Sequence, residues 1–207
     1  MLVIGAKGFA KEVLEICQQN VTTKNISFYD DINHVIGDLL FGQFPILHSF
    51  DEAKMYFENY DKRFTLGIGN PKLRKELAEK FRSIGGILTS TISNSVEIGN
   101  FQVEISNGVN ILGGVKISNN VQIGEGSLIY YNAILTHDVV IGNYVEISPG
   151  VILLGRSKIK DNCQIGAGAI VLPDVIISEN TVIGAGAVVT KNVPKNSVVV
   201  GIPGKWK

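Results

Sequence analysis

The sequence predicts two domains of different class, a small α/β domain over residues 1–86 and an all-β parallel β-helix over residues 87–207. Two observations predict this division. Up to residue 86 the chain holds most of its aromatic and charged residues, and short apolar runs alternate with stretches of helical periodicity. Beyond residue 86 it is dominated by Ile, Val, Gly, Asn and Ser, and aliphatic residues recur at every sixth position.

The N-terminal domain opens with a pattern that predicts a strand, a glycine turn and a helix. The segment MLVIGAKGFAKEVLEICQQ begins with an apolar run. The helix that follows places one set of side chains on its buried face: Ala10, Val13, Leu14 and Cys17. The segments NISFYDD and FTLGIG predict two further strands.

A second helix is predicted from the segment NPKLRKELAEKFRSIGG. Asn70 is its expected N-cap, Pro71 its first residue and Gly85 its C-terminal stop. A four-residue spacing predicts its buried face, made of Leu73, Leu77 and Phe81. Strands that alternate with helices in this order predict a reduced Rossmann-like unit.

The C-terminal domain is a six-residue repeat. Every sixth residue from Ile105 to Val189 is aliphatic, without exception over fifteen positions. Four residues after each of these, from Val109 to Val193, the residue is always small or β-branched. A six-residue unit is too short for a helical hairpin, whereas a short strand and a tight turn fit it. Both series are therefore expected to point into a common core.

Three such units close a triangular coil whose strands pair with those of the next coil. Fifteen units at three per coil make five coils. The preceding segment TISNSVEIGNFQV adds a partial coil that is out of register by one residue, because the sixth residue after Ile98 is Glu104. In this frame Leu135 and Val139 point inward, so His137 lies at an outward corner.

The glycine turn of the first domain resembles a dinucleotide fingerprint but departs from it. The stretch GAKGFA has lysine and alanine where the fingerprint needs its second and third glycines, so a nicotinamide cofactor is not expected. A helix N-terminus after the turn could still hold a phosphate. Asp30 and Asp31 end the next strand, where a carboxylate can accept ribose hydroxyls. Alternatively, Gly5 and Gly8 serve only the turn.

Composition excludes several classes of partner and location. Nineteen Lys and Arg balance nineteen Asp and Glu, so neither nucleic acid nor an anionic membrane is an expected partner. We expect neither a signal peptide nor a membrane span. Cys17 and Cys163 lack CxxC spacing, and Cys163 falls on an inward position of the repeat. No metal or disulfide is therefore indicated, and a cytoplasmic location is expected.

Several segments resemble one known family in both order and spacing. They are VIGAKGFAKEVLEI, FYDD, LGIGNPKLRK, ILTHDVVIGNYVEISPGVILLG, IGAGAIVLPDVII and VVVGIPGKWK. The chain resembles the NeuD/PglD-type sugar O-/N-acetyltransferases, a branch of the hexapeptide-repeat acyltransferases. This resemblance implies a left-handed β-helix and a homotrimer with active sites between subunits. It also implies acetyl-CoA as co-substrate, a nucleotide-sugar substrate and no metal.

The resemblance assigns roles to particular residues. His137 falls on the general base and Asp138 on the adjacent acidic residue that raises its basicity, so these two are the candidate catalytic residues. The implied substrate-binding residues are Lys7, Gly8, Phe9, Asp30, Asp31, Gly69 and Asn70. The implied acetyl-CoA-binding residues are Glu146, Ala167 and Ala185.

Two residues depart from the family pattern. Glu146, in EISPG, stands where many members have a second histidine that contacts acetyl-CoA. Phe9 replaces the usual histidine of the glycine turn. The acetyl end of the groove and the contacts to the sugar are therefore the points at which this chain is expected to differ.

The expected function is N-acetylation of a nucleotide-linked 4-amino-4,6-dideoxy sugar, carried by UDP, for surface glycan synthesis. O-acetylation of a sialic acid or related sugar is the alternative within the family. A γ-type carbonic anhydrase needs three histidines around zinc, and the repeat contains only His137. A non-enzymatic solenoid remains a third class, although it leaves the N-terminal domain unexplained.

Overall fold

The structure, a computed structural model, describes residues 1–19, 25–33 and 37–206. The chain divides into two compact units, Met1–Thr91 and Ile92–Lys207. The sequence places this division after residue 86. In the structure it comes later, because the strand Ile87–Leu88 still pairs with the strand Arg63–Leu66 of the first unit.

Within its described residues, the first unit forms a six-stranded sheet with three helices. Its elements in chain order are β1 (Leu2–Ile4), α1 (Gly8–Gln19), β2 (Ser27–Tyr29), β3 (Leu39–Leu40), β4 (Phe44–Leu47), α2 (Phe50–Asn59), β5 (Arg63–Leu66), α3 (Pro71–Arg82) and β6 (Ile87–Leu88). The strand order is β3-β4-β2-β1-β5-β6, and only the β3–β4 pair is antiparallel. The predicted α/β class is confirmed, whereas β3, β4, α2 and β6 were not predicted.

The buried faces of α1 and α3 can be compared with those predicted from the sequence. In α1 all four predicted residues are buried, and Ile16 joins them. In α3 the predicted face is wrong, because Leu73 is 37% exposed and Leu77 is only partly buried. The face that packs inward consists of Arg74, Ala78 and Phe81. Arg74 is fully buried. The spacing of apolar residues does not predict this face, because one of its buried residues is charged.

The second unit is built almost entirely from two-residue strands. Its first ten are β7 (Thr91–Ile92), β8 (Glu97–Ile98), β9 (Glu104–Ile105), β10 (Asn110–Ile111), β11 (Lys116–Ile117), β12 (Gln122–Ile123), β13 (Leu128–Ile129), β14 (Ile134–Leu135), β15 (Val140–Ile141) and β16 (Glu146–Ile147). The remaining nine are β17 (Ile152–Leu153), β18 (Lys158–Ile159), β19 (Gln164–Ile165), β20 (Ile170–Val171), β21 (Ile176–Ile177), β22 (Val182–Ile183), β23 (Val188–Val189), β24 (Val198–Val200) and β25 (Lys205–Trp206).

These strands form three sheets that are the faces of a triangular prism. Face 1 has the order β25-β24-β22-β19-β16-β13-β10-β7, face 2 has β23-β20-β17-β14-β11-β8, and face 3 has β21-β18-β15-β12-β9. The chain visits the faces in turn, so each coil has three corners. Strands of successive coils pair in parallel, as β13 does with β16, β14 with β17 and β15 with β18, whereas β24 and β25 pair antiparallel. This confirms the predicted left-handed β-helix class.

The register follows the six-residue count. Successive coils pair residues eighteen apart, as in Ile129 with Ile147. Ile98 pairs instead with Ile117, which confirms the predicted one-residue offset of the first partial coil. All fifteen residues of the small series are buried, and in the aliphatic series only Ile105 remains partly exposed. The two series together fill the predicted core.

The surroundings of Cys163 and the character of the helices bear on two predictions made from composition. Cys163 is fully buried within the β-helix core, as predicted, and burial raises the pKa of its thiol to about 11. Among the helices of the described residues, none combines the length and the apolar character that a membrane-spanning segment requires.

Candidate active site

His137 lies at the corner where the chain turns from face 2 to face 3. β14 precedes it and β15 follows it. Its neighbours Leu135 and Val139 are 1% and 0% exposed, whereas the imidazole is 57% exposed. The outward position predicted from the repeat is therefore confirmed, and the core of the prism holds the corner that presents this side chain.

Asp138 holds the imidazole through a short hydrogen bond. Nδ1 of His137 lies 2.6 Å from Oδ2 of Asp138. The hydrogen bond to His137, followed by one from Asn120, holds the pKa of Asp138 below its usual range. An ionised carboxylate can only accept, so the proton belongs on Nδ1. Nε2 is then left with its lone pair directed away from Asp138, which is the arrangement that a general base requires.

Gly155 lies directly beneath the imidazole and was not predicted from the sequence. A β-carbon there would come within 2.6 Å of Cε1 and 2.8 Å of Nε2 of His137. Only glycine leaves room for the ring in this position. The signal was present in the sequence, because Gly155 follows His137 by the eighteen residues of one coil.

A shallow cleft of about 390 Å³ opens along face 2 beside the imidazole. His137 and Thr136 line one end, and Lys116 lies on the adjacent strand. Lys116 is paired with Glu97 at 2.7 Å, so the cleft is charged but locally neutral. Thr136 donates its hydroxyl to Leu153 O at 3.1 Å, which fixes the strand end before the histidine. The cleft leaves one side of the imidazole accessible.

The three predicted acetyl-CoA residues lie away from His137 within one chain. Glu146 is on face 1, where it accepts a hydrogen bond from Gln164 Nε2 at 2.9 Å. Ala167 and Ala185 are exposed and occupy successive coils at the corner between faces 1 and 2. Gly186 N donates to Ala167 O at 2.8 Å, which stacks the two turns. Within one chain, this corner and the His137 corner therefore lie on opposite edges of face 2.

The predicted substrate residues of the first unit converge at one edge of its sheet. Lys7 and Gly8 follow β1, Asp30 follows β2, and Gly69 follows β5, so all lie at the carboxyl ends of adjacent parallel strands. β1 is flanked by β2 on one side and β5 on the other, which makes this edge a topological switch point. Such a crevice is where open α/β sheets bind ligands.

The glycine turn after β1 is set by close approach to the neighbouring loop. Gly5 has φ +108°, and a β-carbon there would lie 2.9 Å from Gly67 O. Gly8 begins α1, so the helix N-terminus faces this edge. The Lys7 ammonium donates to Asn33 Oδ1, which links the turn to the loop after β2. Phe9 packs partly against the core of the domain.

The two aspartates after β2 have different surroundings. Asp30 is 7% exposed, and its carboxylate accepts hydrogen bonds from the backbone and side chain of Asn33. Asp31 accepts from Tyr29 Oη at 2.7 Å and pairs with Lys80 at 3.3 Å. Although burial opposes ionisation, these contacts hold the pKa of Asp31 below its usual range.

Two further residues at this edge, Asn70 and Lys80, have contacts that explain their positions. Asn70 is the predicted N-cap of α3, and its Oδ1 accepts from Leu73 N at 3.1 Å. Lys80 was not predicted. Its ammonium lies 4.8 Å from the ring centre of Phe50 and also contacts Asp31. Among the described residues, no cluster of three or more His, Cys, Asp or Glu side chains is placed to hold a metal ion.

Both units match known protein families. Residues 1–81 match the PglD N-terminal domain family. Residues 120–155 and 156–191 each match the bacterial transferase hexapeptide family, described as six repeats. No curated protein matches the chain significantly.

Solved structures resemble the chain over its whole length. PerB from Caulobacter crescentus, in complex with CoA and GDP-perosamine, is 28% identical with a TM-score of 0.90 and covers 100% of this chain and 96% of that chain. The acetyltransferase domain of PglB from Neisseria gonorrhoeae FA1090, in complex with acetyl coenzyme A, is 25% identical with a TM-score of 0.88, over 100% and 98%.

A third solved structure, WeeI from Acinetobacter baumannii AYE, is 27% identical with a TM-score of 0.73, over 100% of this chain and 98% of that chain. The relatives thus align with both units, and each unit also has its own family match. A PglD-type N-terminal domain joined to hexapeptide repeats, together with these solved structures, supports the NeuD/PglD-type family of sugar acetyltransferases that the sequence resembles.

Proposed function

We propose that this protein transfers the acetyl group of acetyl-CoA to the amine of a nucleotide-linked amino sugar, with His137 as general base. The observation that carries the proposal is the hydrogen bond between His137 Nδ1 and Asp138 Oδ2, at an outward corner beside an open cleft. PerB, which is similar over the whole chain, was solved with CoA and GDP-perosamine. A cytoplasmic role in surface glycan synthesis, with a 4-amino-4,6-dideoxy sugar as acceptor, fits this reaction.

The chemistry needs few groups. The sugar amine attacks the thioester carbonyl and forms a C–N bond, while Nε2 of His137 accepts the amine proton. The C–S bond then breaks and the proton passes to the departing CoA sulfur, so that CoA thiol and the amide are released. The charge of Asp138 stabilises the imidazolium that forms between these steps.

The developing oxyanion needs a hydrogen-bond donor near Nε2. The backbone N–H of Gly155 lies on the next coil beneath the imidazole, and it donates to no acceptor among the described residues. We assign it to the oxyanion, since a preorganised N–H is the usual donor for this charge. The absence of a side chain at Gly155 also leaves room for the thioester carbonyl to approach.

The proposed acetyl-CoA site requires a second copy of the chain. Along face 2, Ile134, Ile152, Ile170 and Val188 form a partly exposed apolar ladder on adjacent strands. A threefold arrangement that turns this face to the axis brings the His137 corner of one copy beside the Ala167 and Ala185 corner of the next. A homotrimer is therefore the proposed active form.

The nucleotide is proposed to bind at the carboxyl edge of the first sheet. The N-terminus of α1 would hold the diphosphate, and Lys7 adds a positive charge beside it. Asp31 or Asp30 would accept ribose hydroxyls. UDP is the nucleotide expected from the sequence, whereas PerB was solved with a GDP-sugar, so the base is the first variable to test.

The reaction is tested by following CoA release with acetyl-CoA and a panel of acceptors. The panel contains UDP-, GDP- and dTDP-linked amino sugars, the matching hydroxyl sugars and a free sialic acid. Turnover with an amino sugar and a product heavier by one acetyl group support the proposal, and turnover with the hydroxylated acceptors alone overturns it in favour of O-acetylation. His137→Ala should lower turnover about 10²–10⁴-fold and leave the melting temperature unchanged.

The intersubunit site is tested by complementation. His137→Ala and Ala185→Trp should each lose most of the activity, because each alters a different half of every site. Co-expression of the two variants should restore about a quarter of the sites, since each intact site needs an unaltered half from two neighbouring copies. If mixing restores no activity while both variants form trimers in sedimentation experiments, the site lies within one chain.

A further inference from the structure

A column of four polar residues rises along the corner that carries the candidate base. Asn120, Asp138, Arg156 and Asp174 occupy equivalent positions on four successive coils, and all have positive φ between 57° and 64°. Backbone hydrogen bonds fix their stacking, because Asp138 N donates to Asn119 O at 3.2 Å and Arg156 N to His137 O at 3.1 Å. Each of these side chains can therefore pair with the residue of the column on the coil before it or on the coil after it.

Asp138 has two such neighbours. On one side Asn120 donates its amide Nδ2 to Oδ1 at 2.6 Å. On the other side stands Arg156, whose positive charge also favours an ionised Asp138. If the carboxylate turned toward Arg156, the two would form a bidentate ion pair, and Asp138 would leave the imidazole of His137.

The structure shows the alternative pairing. Arg156 donates Nε to Oδ1 of Asp174 at 2.7 Å and Nη2 to Oδ2 at 2.8 Å, so its guanidinium points along the column away from Asp138. Asn120 holds one oxygen of Asp138, and the other remains for Nδ1 of His137 at 2.6 Å.

We propose that Asn120 is a positioning residue that keeps the carboxylate of Asp138 on the imidazole of His137. The proposal deepens the proposed function, on which its kinetic consequence rests. Asn120 acts through Asp138 because its amide can donate to a carboxylate but carries no charge of its own. Without it, Asp138 is free to rotate toward Arg156, and Nδ1 loses the acceptor that sets its tautomer.

Other charged groups face this corner and must stay constant in any test. On the face 2 side these are Lys116 and Glu97, which pair with each other. On the face 3 side Lys158 lines the same shallow depression as Asp138 and Arg156. Asn120→Gly leaves all of these charges unchanged, whereas Asn120→Asp would add another.

The test compares Asn120→Gly with Asn180→Gly. Glycine accepts the positive φ without strain, so Asn120→Gly removes the side-chain amide without straining the turn. Asn180 has the same turn conformation, φ 57°, at a different corner, and it serves as the control. The primary readout is the pair of ¹⁵N shifts of the His137 ring at neutral pH, assigned by their loss in His137→Ala. This readout does not depend on catalysis.

We expect the wild type and Asn180→Gly to show a predominant Nδ1–H tautomer and Asn120→Gly to show a mixture. In the acetyl-transfer assay kcat should fall about tenfold in Asn120→Gly with KM unchanged, and Asn120→Gly should have no further effect in an Asp138→Ala background. An unchanged tautomer in Asn120→Gly overturns the proposal. A changed tautomer in a protein that transfers no acetyl group supports the positioning role and overturns the proposed function instead.

Discussion

The imidazole of His137 lies against the backbone of Gly155 on the next coil, at a distance that leaves no room for a side chain. A β-carbon on Gly155 would stand 2.6 Å from Cε1 of the ring. The eighteen-residue register thus places Gly155 directly beneath the ring of His137. This contact makes Gly155 the most direct probe of the ring position.

Gly155→Ala is expected to push the ring out of place and to lower kcat at least 10²-fold, because a shift of about 1 Å near the reacting atoms costs that much. Gly155 does not have a left-handed φ, so alanine adds little backbone strain. Gly124→Ala is the matched control, since a β-carbon there would overlap Gly142 at a corner without His137. Thermal melting and turnover are measured together. If both variants lose activity in proportion to stability, the ring contact is not the cause.

The lowered pKa of Asp138 leads to a prediction about the pH dependence of the reaction. Hydrogen bonds from His137 and Asn120 hold the pKa of its carboxyl below the usual range. Its interactions are therefore complete above its ordinary pKa of about 3.9 and are lost only as pH falls through the lower folded value. The carboxylate of Asp138 therefore stays ionised between about pH 5 and 9.

The ionisation of Asp138 should therefore not limit kcat/KM in this range. Asp138→Asn removes the negative charge that stabilises the imidazolium formed during the reaction, so we expect the plateau of kcat/KM to fall. Rate profiles of both proteins from pH 5 to 9 check this. A plateau of equal height in the two proteins would show that Asp138 does not act on the base.

The repeat made the β-helix predictable to the level of single residues. The six-residue count placed Leu135 and Val139 inside and left His137 in the turn between two strands, where its side chain points outward. The N-terminal domain was less predictable. A buried Arg74 took the place of the expected Leu73 on α3, where hydrogen bonds to backbone carbonyls offset part of the cost of burying its charge.

The candidate site was only partly accessible to sequence reasoning, for a physical reason. Residues joined by the coil register, such as His137 and Gly155, can be paired from the sequence, because their distance is fixed by eighteen residues. Glu146 and Ala185 lie on a different face and a different corner from His137. Their relation to the base depends on how copies pack, and a register within one chain does not encode that packing.

Two serines at equivalent inward positions of the β-helix give a stability prediction. Ser127 Oγ donates to Gly142 O at 2.8 Å and accepts from Val145 N at 3.0 Å. Ser157 Oγ, equally buried, has no hydrogen-bond partner among the described residues. An unpaired buried hydroxyl costs free energy that an alanine does not.

Ser157→Ala should therefore leave the free energy of unfolding unchanged or raise it by up to about 1 kcal/mol, and Ser127→Ala should lower it by about 1–2 kcal/mol. Urea unfolding at one protein concentration measures both. Equal losses in the two variants would mean that a water or another partner satisfies Ser157 in solution.

Arg74 connects the stability of the first unit to its proposed ligand edge. The residue is fully buried, and Nη1 donates to Ile68 O at 2.7 Å and to Leu66 O at 3.3 Å. These carbonyls bracket the start of the loop that carries Gly69 and Asn70 after β5. A buried guanidinium thus holds the backbone of a loop that we propose to meet the nucleotide sugar.

Arg74→Met keeps much of the side-chain volume but leaves both carbonyls without this donor, so the free energy of unfolding should fall by about 2–3 kcal/mol. The loosened loop should also raise KM for the nucleotide sugar more than KM for acetyl-CoA, because the co-substrate is proposed to bind the β-helix. Lys75→Met, at the next and exposed position of α3, should change stability by no more than about 0.5 kcal/mol. A lower apparent kcat with both KM values unchanged would show that Arg74 supports the fold in general and not this edge in particular, since a loss of folded protein reduces the amount of active enzyme without changing KM.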